Sequence, residues 1–469
     1  MSRSASAPLL PGVAAGHPAT AEAGREVLRA GGSAADAVGA MILAGSVAET
    51  IFSGLGGGGF ATLYDADSRE VSCLDFFVAV PGLGGAARQP GRAIEVAFGG
   101  IAVPYEVGGS TVAVPGTPSG VAELHRRAGR LEWASVVAPA EKLAANGTQF
   151  PAQHASMLVE VAPAMLLGDG IAAYSDLATG RLLGTGETLL HPGLADTLAR
   201  YREQGVAALM DGEFAETLVR EVQADGGALS MEDLAAYRVR ELPTASVQMG
   251  TGRVRCRTDD LDGLAATIGR LDASRVTAGE PHRSLALVEA LRGPAVRSET
   301  TSVAAVDAQG NACAATHSLG LGSGIWVGGV HANSMLGEGE LLRGELVPGQ
   351  RMGSMMTPLV VTDPDGALMM VLGAAGGSRI RHALVQVLSG VLLEDRELPS
   401  AVAAPRLSAA ADLVHLEPGV DPSVLPALQD AGLPVFQWPE QRPYFGGVAG
   451  VGPGGPAADR RRGGAALLA

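Results

Sequence analysis

The chain has 469 residues, of which 47% are hydrophobic and 18% charged, and its formal net charge is −15. This composition is typical of a globular protein and excludes a disordered one. The acidic balance, with no basic cluster before Arg460–Arg462, argues against binding to nucleic acid. No apolar run reaches the roughly 20 residues that span a bilayer, so we expect no membrane association. Residues 1–20 lack the pattern of a signal peptide, and we therefore expect a cytoplasmic protein.

The first 80 residues predict two helices and then a strand hairpin. Thr20 is a candidate cap for a helix that ends before Gly31, and Ser33 opens an Ala-rich helix over 34–47. A glycine-rich loop, Ser53–Gly59, leads into strands at 60–64 and 71–77. The loop lacks the Gly-Lys-Ser/Thr ending of a phosphate-binding loop and precedes a strand, so we do not expect it to bind a nucleotide.

The rest of the chain alternates blocks of helix and blocks of strand. The pattern predicts helices at 118–146, 192–205, 213–224 and 231–237, strands at 302–306, 311–316, 359–361 and 367–372, and helices again at 379–393 and 422–431. Such blocks indicate an α+β layered fold. The Gly/Ala/Arg-rich segment around Arg460–Arg462 is expected to be a frayed end.

The three cysteines predict no redox or metal chemistry. They are widely spaced and form neither a CxxC pair nor a disulfide framework: Cys73, Cys256 and Cys313. Cys313 lies in an apolar run and is expected to be a buried structural thiol and not a nucleophile. We expect no metal ion and no cofactor.

The segment 299–312 is the candidate chemical centre. On its own, Glu299-Thr300-Thr301 followed by a short apolar strand, an Asp-x-x-Gly turn and another strand describes an ordinary hairpin, in which threonine is common. The same segment, however, resembles the start of the small subunit in the γ-glutamyltransferase family. Four further blocks resemble that family in the same order: residues 17–37, Ser53–Phe60, Val114–Pro118, and the pair Ser354–Pro358 with Gly376–Arg379.

The resemblance implies a four-layer αββα sandwich of the N-terminal-nucleophile hydrolase type, made as a proenzyme. The chain would cut itself between Glu299 and Thr300, giving a large-subunit region, 1–299, and a small-subunit region, 300–469, that together form one domain. The two fragments would stay associated, and homo-oligomerisation is left open. The substrate is expected to be a small molecule.

The resemblance also implies the roles of individual residues. Thr300 would be the nucleophile, with its free α-amine as the general base. The N–H groups of Gly376 and Gly377 would form the oxyanion hole. Ser318 would support the nucleophile, although a plain loop hydroxyl is an equal interpretation. The implied substrate-binding residues are Phe77, Asn333, Ser334 and Ser354.

Several positions depart from the family pattern and predict an altered acyl specificity. Phe77 replaces the Arg that pairs with the α-carboxylate of a γ-glutamyl group, and Gly337 replaces the Asp that holds its α-amine. Smaller changes place Ser302, Gly320 and Gly353 where relatives have His, Asn and Ser. Loss of both charged contacts disfavours a zwitterionic head far more than loss of one neutral contact.

Other residues are candidates for a replacement site. Phe76 and Phe77 line an apolar acyl pocket in one interpretation and belong to the core in the other. Arg351 or Arg379 would supply an anion contact in one interpretation and is a structural arginine in the other. The short stretch Thr258–Gly263 stands where relatives have a longer loop, which predicts a more open site.

The leading hypothesis is therefore an amide hydrolase or acyltransferase of this family with an unusual acyl group. One alternative is a C–C bond hydrolase of the same family in actinobacterial secondary metabolism, which the single lysine, Lys142, and the Ala/Gly-rich, GC-rich character accommodate. Another alternative is an unprocessed homologue without catalytic activity.

Overall fold

The computed structural model of the protein describes residues 8–98, 100–293, 300–342 and 344–469. The α-helices in these residues are α1 (Pro18–Arg29), α2 (Ala34–Ala48), α3 (Thr117–Ala128), α4 (Trp133–Asn146), α5 (Ala152–Met165), α6 (Gly170–Tyr174), α7 (Leu194–Gln204), α8 (Ala207–Met210), α9 (Gly212–Ala224), α10 (Met231–Ala236), α11 (Leu264–Arg270), α12 (Ala273–Thr277), α13 (His282–Leu291), α14 (Arg379–Leu392), α15 (Leu398–Ala403) and α16 (Val424–Asp430).

The β-strands alternate with these helices along the chain. They are β1 (Gly12–Ala15), β2 (Gly58–Tyr64), β3 (Val71–Phe76), β4 (Arg92–Phe98), β5 (Ile101–Val107), β6 (Thr148–Gln149), β7 (Thr188–Leu189), β8 (Arg240–Leu242), β9 (Thr244–Met249), β10 (Gly252–Arg257), β11 (Thr301–Val306), β12 (Ala312–Ser318), β13 (Trp326–Val327), β14 (Val330–His331), β15 (Leu359–Thr362), β16 (Leu368–Ala375), β17 (Leu407–Ala409), β18 (Val414–Leu416), β19 (Val435–Gln437), β20 (Gly447–Gly452), β21 (Gly455–Ala458) and β22 (Ala465–Leu468).

Two antiparallel sheets form the centre of the molecule. The first has the strand order β22-β1-β11-β12-β2-β3-β8, and the second has the order β21-β20-β16-β15-β10-β9. The sheets lie face to face, and small or β-branched side chains such as Ala304, Ala314, Val360 and Val371 fill the layer between them. Such residues let two sheets approach closely.

Helices cover the outer face of each sheet. α2 packs on β11 and β12 of the first sheet, and α14 packs on β16 of the second. The order of layers is therefore helix, sheet, sheet, helix, which confirms the predicted α+β sandwich. All 15 residues of α2 are buried, as expected for a helix of small apolar residues between a sheet and other helices.

The start of α2 is built as predicted, but the start of α1 is not. Ser33 accepts from the N–H of Asp36, and the Asp36 carboxylate accepts from the N–H of Ser33, which makes a capping box. α1 begins at Pro18, two residues before the predicted cap at Thr20, because proline suits the first helical turn and His17 Nδ1 accepts from Ala19 N–H.

Two further predictions are wrong. The predicted helix over 118–146 is two helices, since the chain leaves helical geometry at Gly129 and restarts at Trp133. The C-terminal segment is not a frayed end: β22 pairs with β1, and Arg461 is buried between Glu417 and Asp459. Its Gly/Ala-rich composition resembles a tail, but strand pairing and buried ion pairs hold it in the fold.

Candidate active site

Thr300 lies at the end of the central sheet, directly before β11. In β11 and β12 Thr301 is opposite His317, so the next position places Thr300 level with Ser318. Ser318 in turn is paired with Gly58 of β2. Thr300 and Ser318 are both 2% exposed. The structure therefore brings the predicted nucleophile and its predicted supporting hydroxyl to the same end of neighbouring strands.

Because side chains alternate along β11, Thr301 and Thr300 lie on opposite faces of the first sheet. Thr301 projects toward the helix layer, where its Oγ1 donates to Glu49. Ser302 projects toward the second sheet, and a Cβ on Gly373 would lie 2.3 Å from its Oγ. Since residues two apart share a face, Thr300 belongs to the face that the second sheet covers.

Gly376 and Gly377 lie between β16 and α14, on the second sheet. Their φ angles are +121° and +61°, a region that favours glycine. Among the described residues we find no hydrogen bond from the N–H group of either glycine. A cavity of about 20 Å³ is lined by Thr301, Ser302 and Ala375, so the ends of β11 and β16 meet. The N–H groups of the glycines are therefore available near the start of β11, beside the amino end of α14.

The glycine-rich loop supports this end of the sheet by close backbone packing. A Cβ on Gly56 would lie 2.2 Å from the carbonyl oxygen of His331, and one on Gly57 would lie 2.1 Å from that of Ser318. Only glycine permits such an approach. The loop is thus part of the framework behind Ser318.

Asn333, a predicted substrate-binding residue, is tied to that framework. Its Nδ2 donates to the carbonyl oxygens of Gly56 and Ala113, both at 2.8 Å, and its Oδ1 accepts from the N–H groups of Ala113 and Met335. These four bonds use every donor and acceptor position of the amide. A contact with substrate stays a prediction for this residue.

Phe77 lies in the core of the second sheet. It is 1% exposed and stacks on Phe60 with 5.5 Å between ring centroids. Its carbonyl oxygen accepts from Tyr237 Oη and from Arg351. Phe76 is also fully buried, in the core of the first sheet. Burial supports the core interpretation of both phenylalanines, and a role in substrate binding stays a prediction for Phe77.

Two of the glycines that differ from the family pattern, Gly337 and Gly320, have little room for a side chain. A Cβ on Gly337 would lie 2.2 Å from the carbonyl oxygen of Glu106. Gly320 has φ +72°, and a Cβ there would lie 2.7 Å from Ser334 Oγ and 2.8 Å from Tyr105 Oη. Backbone and buried polar groups now fill the space at both positions.

Tyr105, Ser334 and Glu338 form a buried polar cluster beside Gly320. The Tyr105 hydroxyl lies 2.7 Å from Ser334 Oγ, donates to Glu338 Oε1 at 3.1 Å, and accepts from Leu321 N–H. Burial, together with the nearby Glu338 carboxylate, raises the pKa of Tyr105 well above its usual value. The structure thus brings the predicted residue Ser334 next to two residues that no sequence motif indicated.

Ser354, the last of the predicted substrate-binding residues, lies under the stretch that replaces the family's longer loop. Its Oγ accepts from Met356 N–H, and its carbonyl oxygen accepts from Leu261 N–H at 3.0 Å. Leu261 would also be 2.8 Å from a Cβ on Gly353. The short stretch therefore covers the Gly353–Ser354 loop, which is fully buried at Ser354.

The two arginines proposed as anion contacts are held by the protein itself. Arg351 pairs with Asp75, and its guanidinium lies 4.4 Å from the Tyr237 ring centroid. Arg379 is 3% exposed and donates to the carbonyl oxygen of Tyr444. The structural interpretation of both is supported by these contacts.

The remaining predictions concern cysteines, metals and the cleavage point. All three cysteines are buried and free, and burial raises the pKa of Cys73 to about 11 and that of Cys256 to about 12, so neither is a nucleophile at neutral pH. Cys313 is likewise buried, with a raised pKa. No cluster of metal-ligating side chains and no helix able to cross a bilayer occurs within the described ranges. Glu299 lies outside the described residues.

Two buried charged residues near Thr300 were missed from the sequence: Glu49 and Arg462. Arg462 donates to the carbonyl oxygen of Thr300 at 3.2 Å, and Glu49 accepts from Thr301. A carboxylate at the end of a mostly apolar helix is a signal that was available for Glu49, because such groups are rarely buried without a partner.

Two facing antiparallel sheets between two helix layers are the fold of the N-terminal-nucleophile hydrolases. The sequence profile of gamma-glutamyltranspeptidase matches residues 20–267 and 264–469. The chain therefore belongs to the gamma-glutamyltranspeptidase family, whose members act as hydrolases or acyltransferases.

Individual relatives agree with this assignment. The chain is 29% identical to a glutathione hydrolase proenzyme of Pseudomonas aeruginosa over 463 residues, which cover 82% of this chain and 80% of that protein. It is 26% identical to the acylase ACY 1 proenzyme of a Pseudomonas species over 492 residues, covering 91% and 87%. The crystal structure of cephalosporin acylase from Bacillus halodurans has the same fold, with a TM-score of 0.77 at 22% identity, covering 100% of this chain and 97% of that one.

Proposed function

We propose that the protein is a self-processing amide hydrolase or acyltransferase in which Thr300 forms the acyl-enzyme. The observation that carries the proposal is the position of Thr300, which is buried at the start of β11 and level with Ser318. The next two residues, Thr301 and Ser302, share a cavity with Ala375 at the end of β16. The Gly376 and Gly377 N–H groups that follow Ala375 have no hydrogen-bond acceptor among the described residues. This arrangement provides a nucleophile and a pair of oxyanion donors on facing sheets.

Maturation would use the same hydroxyl. Thr300 Oγ1 attacks the carbonyl carbon of residue 299, and the peptide nitrogen leaves as the free α-amine while an ester forms. Water then hydrolyses the ester, which releases a carboxylate at 299 and restores the hydroxyl. Regions 1–299 and 300–469 remain together, because β11 lies between β1 and β12 in the sheet and β12 is paired with β2.

Turnover would then follow the acyl-transfer chemistry of this class. The α-amine of Thr300 takes the proton of Oγ1, and Oγ1 attacks the substrate amide carbon. The N–H groups of Gly376 and Gly377 stabilise the oxyanion. The proton passes to the leaving nitrogen as the C–N bond breaks, and water or an acceptor amine releases the acyl group.

The acyl group is proposed to differ from an ordinary γ-glutamyl group. Phe77 packs in the core, and neither Gly320 nor Gly337 has room for a side chain, so the charged contacts for an α-carboxylate and an α-amine are missing at these positions. One relative that covers most of the chain bears the name acylase and not glutathione hydrolase. The proposal is therefore an amide substrate whose acyl part lacks the zwitterionic head.

Two measurements test the proposal. Denaturing electrophoresis with mass analysis of the purified protein is expected to show two fragments that meet at Thr300; one full-length band, unchanged on long incubation, would indicate an unprocessed homologue. The mature protein is then assayed with γ-glutamyl-p-nitroanilide and with p-nitroanilides of uncharged aliphatic and aromatic acids. Preferred turnover of the uncharged series is expected, and efficient turnover of the γ-glutamyl compound would refute the altered specificity.

A further inference from the structure

The peptide unit that joins Thr300 to Thr301 is held from two sides by buried charged residues. The carbonyl oxygen of Thr300 accepts a hydrogen bond from Arg462 Nη2 at 3.2 Å. The hydroxyl of Thr301 donates to Glu49 Oε2 at 2.5 Å. Glu49 is 1% exposed and Arg462 is 5% exposed. Neither residue belongs to β11, so both contacts connect the start of this strand to other parts of the chain.

Glu49 lies at the end of α2, and its carboxylate also accepts a hydrogen bond from a second threonine. It directly follows the last helical residue, and its N–H donates to the carbonyl oxygen of Gly45. Its Oε1 accepts from the hydroxyl of Thr20 at 2.7 Å, so each carboxylate oxygen receives one threonine hydroxyl. A Cβ on Gly16 would lie 2.2 Å from Oε2, so the glycine directly after β1 leaves the space that this carboxylate occupies.

Arg462 reaches the same place from the C-terminal segment. Its guanidinium lies over the ring of Phe52, with 4.5 Å to the centroid. Phe52 belongs to the turn that begins at Glu49, since its N–H donates to the Glu49 carbonyl oxygen. Glu49, Phe52 and Arg462 also line the cavity that Thr301 and Ser302 share with Ala375. The acid and the arginine therefore form one unit around the start of β11.

We propose that Glu49 and Arg462 are positioning residues that keep Thr300 in the active site after the chain is cut before it. The inference rests on the proposed function. Cleavage turns Thr300 into a chain terminus, and terminal residues fray unless they are tied down. Thr300 precedes Thr301, the first paired residue of β11, so the strand pairing itself does not include Thr300. Arg462 instead holds the carbonyl group of Thr300, and Glu49 holds the side chain of Thr301.

A pair of threonines provides a matched test. Thr301→Val removes the hydroxyl that links Glu49 to the strand of the nucleophile, whereas Thr20→Val removes the other hydroxyl on the same carboxylate. Both threonines are fully buried, and each variant takes one hydrogen bond from Glu49. A merely structural role of the carboxylate predicts equal effects, while a positioning role predicts a selective effect of Thr301→Val.

The readouts need no knowledge of the natural substrate. One is the first-order rate of self-cleavage. The other is acylation of Thr300 by an alkyl β-lactone, in which Oγ1 attacks the ring carbonyl, the ring C–O bond opens, and the new alcohol takes the proton; intact mass of the 300–469 fragment gives kinact and KI. Thr301→Val is expected to lower kinact at least about tenfold, since misplaced reacting groups lose rate steeply. KI should stay within about twofold, because the binding pocket is unchanged.

The controls distinguish a failure of the positioning role from a failure of the proposed function. Thr301→Ser keeps the hydroxyl and is expected to restore kinact, and Thr20→Val is expected to match the wild type. Equal kinact in Thr301→Val and Thr20→Val would overturn the positioning role while leaving the proposed function intact. A wild-type protein that neither cleaves itself nor takes the lactone on Thr300 would overturn the proposed function and the positioning role together.

Discussion

The hydroxyl of Tyr105 lies 2.7 Å from Oγ of Ser334, and both groups border the space into which a side chain on Gly320 would project. Gly320 has φ +72°, and a Cβ there would also lie 2.9 Å from Glu338 Oε1. Polar groups of the protein therefore surround this position and leave little space for a side chain.

This crowding predicts that the glutamyl contacts cannot be restored by single reversions. Gly337→Asp would place a Cβ 2.2 Å from the Glu106 carbonyl oxygen, so the backbone must shift. We expect a loss of unfolding free energy of about 1–3 kcal/mol, as for other overpacking substitutions, and no gain of activity on γ-glutamyl-p-nitroanilide. Urea denaturation measures the unfolding free energy, and the chromogenic assay measures the γ-glutamyl activity.

Gly339 supplies the control for this substitution. It lies two residues further along, is exposed, and would have no atom within 4 Å of an added Cβ. Gly339→Asp is therefore expected to change stability by less than about 0.5 kcal/mol, as for ordinary surface substitutions. A stable Gly337→Asp variant with γ-glutamyl activity would contradict the predicted crowding at Gly337.

Removal of the nucleophile gives a sharper test of mechanism. Thr300→Ala is expected to stop self-cleavage and acyl transfer entirely, because alanine has no hydroxyl to attack the carbonyl carbon of residue 299 or of a substrate. Thr300→Ser keeps the hydroxyl and should retain both activities at a reduced rate. The measurement is fragment formation on denaturing gels over several days. Fragments from the alanine variant would mean that another residue, or another protease, cuts the chain.

Ser318 is expected to matter for both stability and rate. Its Oγ accepts from Gly320 N–H at 3.0 Å in a fully buried position. Ser318→Ala leaves that N–H without its acceptor, which costs about 1–3 kcal/mol of unfolding free energy. Ser318→Thr retains the acceptor and should recover cleavage. If both variants cleave like the wild type, the supporting role of this hydroxyl is wrong.

Asn333 is predicted to be a structural residue whose loss acts through the glycine-rich loop. Asn333→Asp turns the two donors that face the carbonyl oxygens of Gly56 and Ala113 into an acceptor, so a buried charge meets two oxygens. We expect a loss of at least about 2 kcal/mol. Asn146→Asp on the exposed end of α4 loses a comparable bond, to Lys142, and should be nearly neutral. Chemical denaturation of both variants decides the matter, and equal stability would contradict the framework role.

The sequence was sufficient for the layers of the fold and for the ends of strands that approach Thr300. Periodicity located α2, β11, β12 and α14, because each has one strong local pattern and is buried as that pattern requires. Local patterns failed at the C-terminal segment, where glycine and alanine say little about pairing. β22 exists because β1, more than 440 residues earlier, provides its partner.

The candidate site also has residues that sequence motifs predicted and residues that they did not. Thr300, Ser318 and the glycine pair were found through motifs, since their positions in the chain are fixed by the strands that carry them. Tyr105 and Arg462 were not, because each reaches the site from an element whose own sequence shows no sign of it. Glu49 was also missed, although a carboxylate at the end of a mostly apolar helix was an available signal. Side-chain contacts between distant segments depend on packing, which a single sequence does not display.

Buried histidines predict that the protein loses stability in mild acid. Burial lowers the pKa of five fully buried imidazoles, to about 4 for His191 and His382, to about 3 for His317 and His331, and well below 6.5 for His154. Unfolding exposes them and returns each pKa to about 6.5, so the unfolded state binds more protons between about pH 3 and 6.5. Stability therefore falls as the pH drops through this window, by up to about 1.4 kcal/mol per pH unit for each histidine.

His317→Phe isolates one contribution to this acid sensitivity. His317 has no hydrogen-bond partner for either ring nitrogen among the described residues, so the ring loses little by becoming apolar. The variant should be at least as stable as the wild type at pH 7, and its unfolding free energy should fall less steeply between pH 6.5 and 4. Urea denaturation across this range gives both slopes. Identical slopes would mean that His317 titrates equally in the folded and unfolded chains, which contradicts its burial beside Thr301.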